Sequence, residues 1–60
     1  MIYNNIKALC DKKGISIKDL EREAGLGSGT IYKWQKVSPS IENLQAVAGK
    51  LGVKVTKLIE

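Results

Sequence analysis

Histidine is missing altogether from the 60 residues, and cysteine occurs once, as Cys10. Neither an internal disulfide nor a Cys/His zinc site can be assembled within one chain, which excludes a fold built on cross-links or metal. No metal and no cofactor are expected. The absence of histidine also removes the most common acid–base side chain. The acidic residues Asp11, Asp19, Glu21, Glu23 and Glu42 stand among lysines at positions expected on exposed helix faces. No catalytic residue is assigned, no small-molecule substrate is expected, and the chain does not read as an enzyme. Cys10 itself reads as a small apolar filler on a helix rather than a reactive thiol, and a reducing cytosol is its natural setting. No apolar run approaches the ~20 residues needed to cross a bilayer, and the N-terminus lacks the basic and apolar stretch of a secretion signal. The expectation is a soluble, cytoplasmic chain without a membrane partner. There is one proline, and no internal repeat, low-complexity tract or long linker divides the chain, so residues 1–60 read as one domain.

What is present suffices for one small core, since 43% of the residues are hydrophobic. A chain of this size buries only about 60% of the surface it exposes when unfolded, so its stability should be modest and a deep catalytic cleft has little room. The net charge of +4 favours anionic partners by long-range attraction without naming one.

The apolar spacing predicts helices. Ile6, Leu9 and Cys10 share a face opposite Lys7, Asp11, Lys12 and Lys13, and Gly14 is suited to end the first helix, expected from about Asn4 to Lys13. Ser16 can cap a second helix, and Asp19 three residues later can return a bond to the cap or simply sit well at the positive helix end. Ile17, Leu20 and Ala24 form its inner stripe before Gly25, so it should run from about Ile17 to Ala24. Ile31 and Trp34 lie one turn apart, and a third helix is expected from about Ser28 to Gln35, with Ser28, Gly29, Tyr32, Lys33 and Lys36 outward. Trp34 reads as core rather than as a stacking platform for single strands. Pro39 bars helix before it, and Ser40 can cap a fourth helix carrying Ile41, Leu44, Val47, Ala48 and Leu51 up to Gly52. Val55, Leu58 and Ile59 fit a final turn or two whose apolar side closes the core or meets a second chain.

Two short helices joined by a glycine turn, the second with a polar outer face, let one helix cross a DNA backbone while the other enters the groove. The run SIKDLEREAGLGSGTIYKWQ, from Ser16 to Gln35, resembles the helix-turn-helix of the Cro and lambda-repressor family, also called the XRE family. The phrase SPSIENLQAVAGKLGVKV resembles that family's segment after the motif, so the likeness covers nearly the whole chain.

The resemblance implies an all-α, compact bundle of about five short helices in which helices two and three form the helix-turn-helix. It implies a transcriptional repressor that binds double-stranded DNA as a homodimer. Carried onto this sequence, the base-facing positions are Ser28, Gly29, Tyr32 and Lys33. The backbone-holding positions are Ile17 through its amide, Lys18, Thr30, Lys36, Ser38 and Ser40. Lys33 can donate to guanine O6 and N7, and Tyr32 can offer its hydroxyl or press its ring on a thymine methyl. Ser28 discriminates weakly, and Gly29 permits close approach of the backbone. The apolar tail, Val55, Leu58 and Ile59, is the candidate dimer surface. It also motivates the alternative of a protein-interaction module or antitoxin-like partner on the same fold.

Three positions depart from the family pattern. Glu21 stands where alanine is usual and is expected to lean outward or find a cation. Gly27 stands where a capping Ser or Thr is usual, loosening the start of the third helix by a few tenths of a kcal/mol, in order of magnitude. Lys54 occupies the usual cap position of helix five, so the end of the chain is expected to fray. The glycine-rich run Gly25-Leu26-Gly27-Ser28-Gly29-Thr30 is not a phosphate-cradling loop of a nucleotide enzyme, because no strand precedes it and no Gly-Lys-Ser/Thr ending follows.

Overall fold

The computed structural model describes residues 2–60. They form five helices, α1 (Ile2–Lys13), α2 (Ile17–Glu23), α3 (Thr30–Lys33), α4 (Ile41–Leu51) and α5 (Thr56–Ile59), and no strand occurs among the described residues. Two serines start two of the helices in the same way. Ser16 Oγ accepts from the Asp19 amide at 3.0 Å and Ser40 Oγ from the Asn43 amide at 3.1 Å, each satisfying one of the first-turn N–H groups that have no partner inside the helix. The Asp19 carboxylate does not return a bond to the cap. It pairs instead with Arg22 one turn on.

Gly52 ends α4 at φ +70°, a left-handed conformation that costs glycine little. The chain then reverses so that the Val53 amide donates to the Ala48 carbonyl at 3.0 Å, and half-buried Val53 packs against the core. Ile6 and Cys10 of α1, Leu20 of α2, Ile31 of α3, Trp34, Leu44, Val47, Ala48 and Leu51 of α4, and Leu58 of α5 make that core. The molecule measures 25 × 24 × 17 Å. Helix α2 packs on α1, α3 and α4, while α5 returns to lie on α1.

Helices α1 and α3 differ in extent from the sequence expectation, and α5 differs in how its end is held. Helix α1 already includes Ile2 and Tyr3, both packed against the core, and Ile2 stands one helical turn before Ile6. Helix α3 is shorter than Ser28–Gln35, because Gly29 has φ +86°, outside helical space. Beyond Lys33 the chain tightens into turns in which the Gln35 amide donates to Tyr32 and the Lys36 amide to Lys33, the i→i+3 pattern common at helix ends. Finally, α5 has no side-chain cap at its start, as the lysine at position 54 suggests, yet its far end is held. Asn5 Nδ2 of α1 donates to the carbonyls of Leu58 at 2.8 Å and Glu60 at 3.0 Å.

Candidate nucleic-acid interface

Helix α3 presents opposite faces to the protein and to solvent. Ile31 and Trp34 are buried, whereas Lys33 is exposed and Tyr32 is 65% exposed. The start of α3 is bonded to α2 by a residue expected to point the other way. Glu21 does not lean outward and finds no cation: it is 3% exposed. Its carboxylate accepts from the Gly29 amide at 3.2 Å through Oε1 and from the Ile31 amide at 2.8 Å through Oε2. The residue that begins α3, Gly29, has no side chain to cap with, so Glu21 caps from the preceding helix. An anionic side chain at the positive end of a helix is favourable, and charge-assisted bonds to backbone amides are stronger than neutral ones. The cap is thus supplied neither by Gly27 nor by Ser28. The sequence carries a signal for this that the outward reading overlooks. Glu21 lies four residues after Ile17 and three before Ala24, on the apolar stripe of α2, and the N-cap position it faces is a glycine.

The proposed DNA-contacting residues group around Tyr32. A hollow of about 340 Å³ is lined by Tyr3 of α1, Ile17, Lys18 and Glu21 of α2, and Ser28, Gly29 and Tyr32. It brings together three of the four base-facing candidates and two of the backbone-holding ones. Tyr32 also lines a second hollow of about 340 Å³, together with Lys33, Gln35, Lys36 and Val37. Lys18, Ser28, Lys33, Lys36, Ser38 and Ser40 are exposed, while Ile17, Gly29 and Thr30 are half-buried. Ile17 stands at the first position of α2, where a helix amide has no acceptor inside its own helix. Thr30, Ser38 and Ser40 line neither hollow. The Ser40 oxygen is engaged as the α4 cap, leaving its O–H free to donate.

Two residues at this face were not singled out from the sequence. Tyr3 meets Tyr32 edge to face, with ring centroids 5.9 Å apart and planes at 84°; the contact joins α1 to α3 and no local pattern encodes it. Arg22 borders a further hollow with Lys18, Glu21, Leu26 and Ser28, and its pairing with Asp19 is solvent-exposed, a kind of pair worth little in stability. Four cations, Lys18, Arg22, Lys33 and Lys36, therefore line the hollows on this side.

The tail requires a correction. Leu58 is fully buried and belongs to the chain's own core, so of the three residues offered as a dimer surface only half-buried Val55 and exposed Ile59 reach solvent. Burial accounts for Cys10 as well: it packs in the core, and its thiol is pushed above its ordinary value of 9.0, first by burial and then by Asp11, with Lys7 opposing.

Among the described residues no three His, Cys, Asp or Glu side chains gather as a metal site, and no helix is long and apolar enough to cross a membrane. A family model described as Helix-turn-helix matches residues 6–58, from the Ile6 turn of α1 to the buried Leu58 of α5. No curated protein matches the chain.

Proposed function

Since the chain belongs to the Cro and lambda-repressor (XRE) helix-turn-helix family, a family of DNA-binding transcription regulators, we propose that it binds a specific double-stranded DNA sequence as a homodimer and represses transcription from the cytoplasm. The carrying observation is the division of α3, with Ile31 and Trp34 turned into the core and Tyr32 and Lys33 turned out. In this reading Ser28, Gly29, Tyr32 and Lys33 meet base edges in the major groove, while Ile17 through its amide, Lys18, Thr30, Lys36, Ser38 and Ser40 hold phosphates.

One short helix spans only a few base pairs, so specificity calls for two copies reading half-sites about 34 Å apart. Val55 and Ile59 are the tail residues available for the dimer contact. The exposed Val37, Ile41 and Ile59 keep a second reading in play, in which the same fold grips another protein. Selection from a pool of random duplexes, followed by electrophoretic mobility shift, separates the two. DNA reading predicts an enriched, two-fold-related sequence bound at about 10⁻⁸ M or tighter at physiological salt. Binding no tighter than about 10⁻⁴ M, without an enriched sequence, rejects it.

A further inference from the structure

The edge-to-face pair of Tyr3 and Tyr32, together with an exposed valine, points to roles for Tyr3 and Val37 that neither local sequence nor the helix-turn-helix division assigns. Tyr32 is 65% exposed and Val37 is 56% exposed, and both line the hollow of about 340 Å³ on the Lys33 side of α3. Two large apolar side chains left in water beside three polar neighbours, Lys33, Gln35 and Lys36, suit an apolar group embedded in an anionic, hydrogen-bonding surface. In the major groove the one apolar group on a base edge is the 5-methyl of thymine.

A free tyrosine on an exposed helix face would sample several rotamers, and ordering it on binding costs free energy. Tyr3 limits that freedom beforehand, because an edge-to-face contact favours one relative ring orientation. Tyr3 is itself fixed within α1 and packed against the core, so the orientation is set from the scaffold rather than from a loop.

Resting on the DNA-binding reading above, we infer that Tyr3 is a positioning residue for base reading, orienting the Tyr32 ring so that the hollow between Tyr32 and Val37 takes the 5-methyl group of one thymine. Tyr3 touches no base in this arrangement. It acts through Tyr32, and Val37 forms the opposite wall.

The test uses the duplex selected by the wild-type chain, with each thymine replaced in turn by uracil, which pairs identically but lacks the methyl. The wild type should lose about fourfold in affinity at one position, the worth of one buried methyl group. In Tyr3→Leu and in Val37→Ala that uracil penalty should shrink to less than twofold, while Tyr3→Phe, which keeps the ring, should retain it. A purely structural role for Tyr3 would weaken wild-type and uracil duplexes alike and leave their ratio unchanged, overturning the inference. Should Tyr3→Leu melt below the assay temperature, Tyr3→Met is read by the same ratio, and Val37→Ala tests the hollow without touching α1. A selected duplex in which no thymine is methyl-sensitive overturns the inference while leaving DNA binding intact. If no duplex is enriched, both readings fall together.

Discussion

The Glu21 carboxylate sits 2.8 Å from the amide of Ile31, ten residues along the chain and in the next helix. With its second oxygen on the Gly29 amide, it makes the turn between α2 and α3 a hydrogen-bonded corner rather than a flexible joint. Both carboxylate oxygens are partnered, and no buried side-chain polar atom among the described residues lacks a partner. A buried carboxylate is costly unless it is bonded in this way.

Removing the carboxylate strands two amides at the start of α3. Glu21→Ala should lower stability by about 1–3 kcal/mol, the cost of leaving buried donors unsatisfied. For a domain of this size each kcal/mol moves the melting temperature by roughly 4–8 °C. Glu21→Gln should fall between alanine and the wild type, since its carbonyl accepts one bond and its amide group meets the second donor unfavourably. Thermal unfolding followed by circular dichroism checks the order, and an unchanged midpoint in Glu21→Ala would contradict it.

Lys33 and Lys18 should behave differently on DNA although both are exposed lysines. Lys33→Ala should cost about 1–3 kcal/mol at one base position and relax preference there, whereas Lys18→Ala should weaken all sequences alike and flatten the salt slope by about one unit. Titrations of selected and random duplexes at several salt concentrations give both quantities. Equal losses on both duplexes for both variants would show that the roles are wrongly divided.

Ser40 carries two roles that one substitution separates. Ser40→Ala removes the α4 cap and should cost about 1 kcal/mol of stability. Ser40→Asp keeps a good cap and so should melt near the wild type, yet its charge should repel the phosphate that Ser40 is proposed to hold. Melting curves and mobility shifts on the same two proteins decide the matter. If Ser40→Asp binds the selected duplex as well as the wild type, Ser40 is a cap only.

Cys10 gives the pH dependence. Its thiol titrates higher in the folded chain than when unfolded, because burial disfavours the thiolate. The unfolded chain therefore gives up this proton first as pH rises. The stabilisation is fully present below the ordinary value of 9.0 and is lost as pH rises from there through the folded value. Urea unfolding at pH 7 and pH 10, compared with the same pair of measurements on Cys10→Ala, isolates this contribution as the difference between the two pH effects. An identical pH effect in both proteins would refute it.

How much of this was readable in the sequence depends on the range of the interactions. Helix α4 was legible from end to end, because Ser40, the Ile41-Leu44-Val47-Ala48-Leu51 stripe and Gly52 are local signals that agree. The bounds of helix α2 are equally plain, and the match to residues 6–58 accords with a likeness that covers nearly the whole chain. The inward Glu21 is not legible locally, because an acidic residue is ordinarily assigned to solvent and only the glycine at the N-cap of α3 reverses that preference. The extent of α3 is hidden for a related reason: periodicity shows which residues share a face, not where a left-handed glycine interrupts the helix. Tyr3 beside Tyr32 and Asn5 beside Leu58 are contacts between distant parts of the chain, and no periodic pattern contains them. The base-facing and backbone-holding roles came from resemblance, and what the fold adds is that several of those residues border shared hollows around Tyr32.

The clasp between Asn5 and the Leu58 and Glu60 carbonyls joins residues 53 and 55 positions apart. Closing so long a span costs chain entropy before it returns any contact. Synthesis makes α1 before its partner α5, so on a nascent chain α1 lacks the contacts of α5 until that helix has emerged. The bundle should accordingly complete its folding after the final turn leaves the exit tunnel, and a transcript cut short before α5 should yield a chain prone to proteolysis rather than a working fragment.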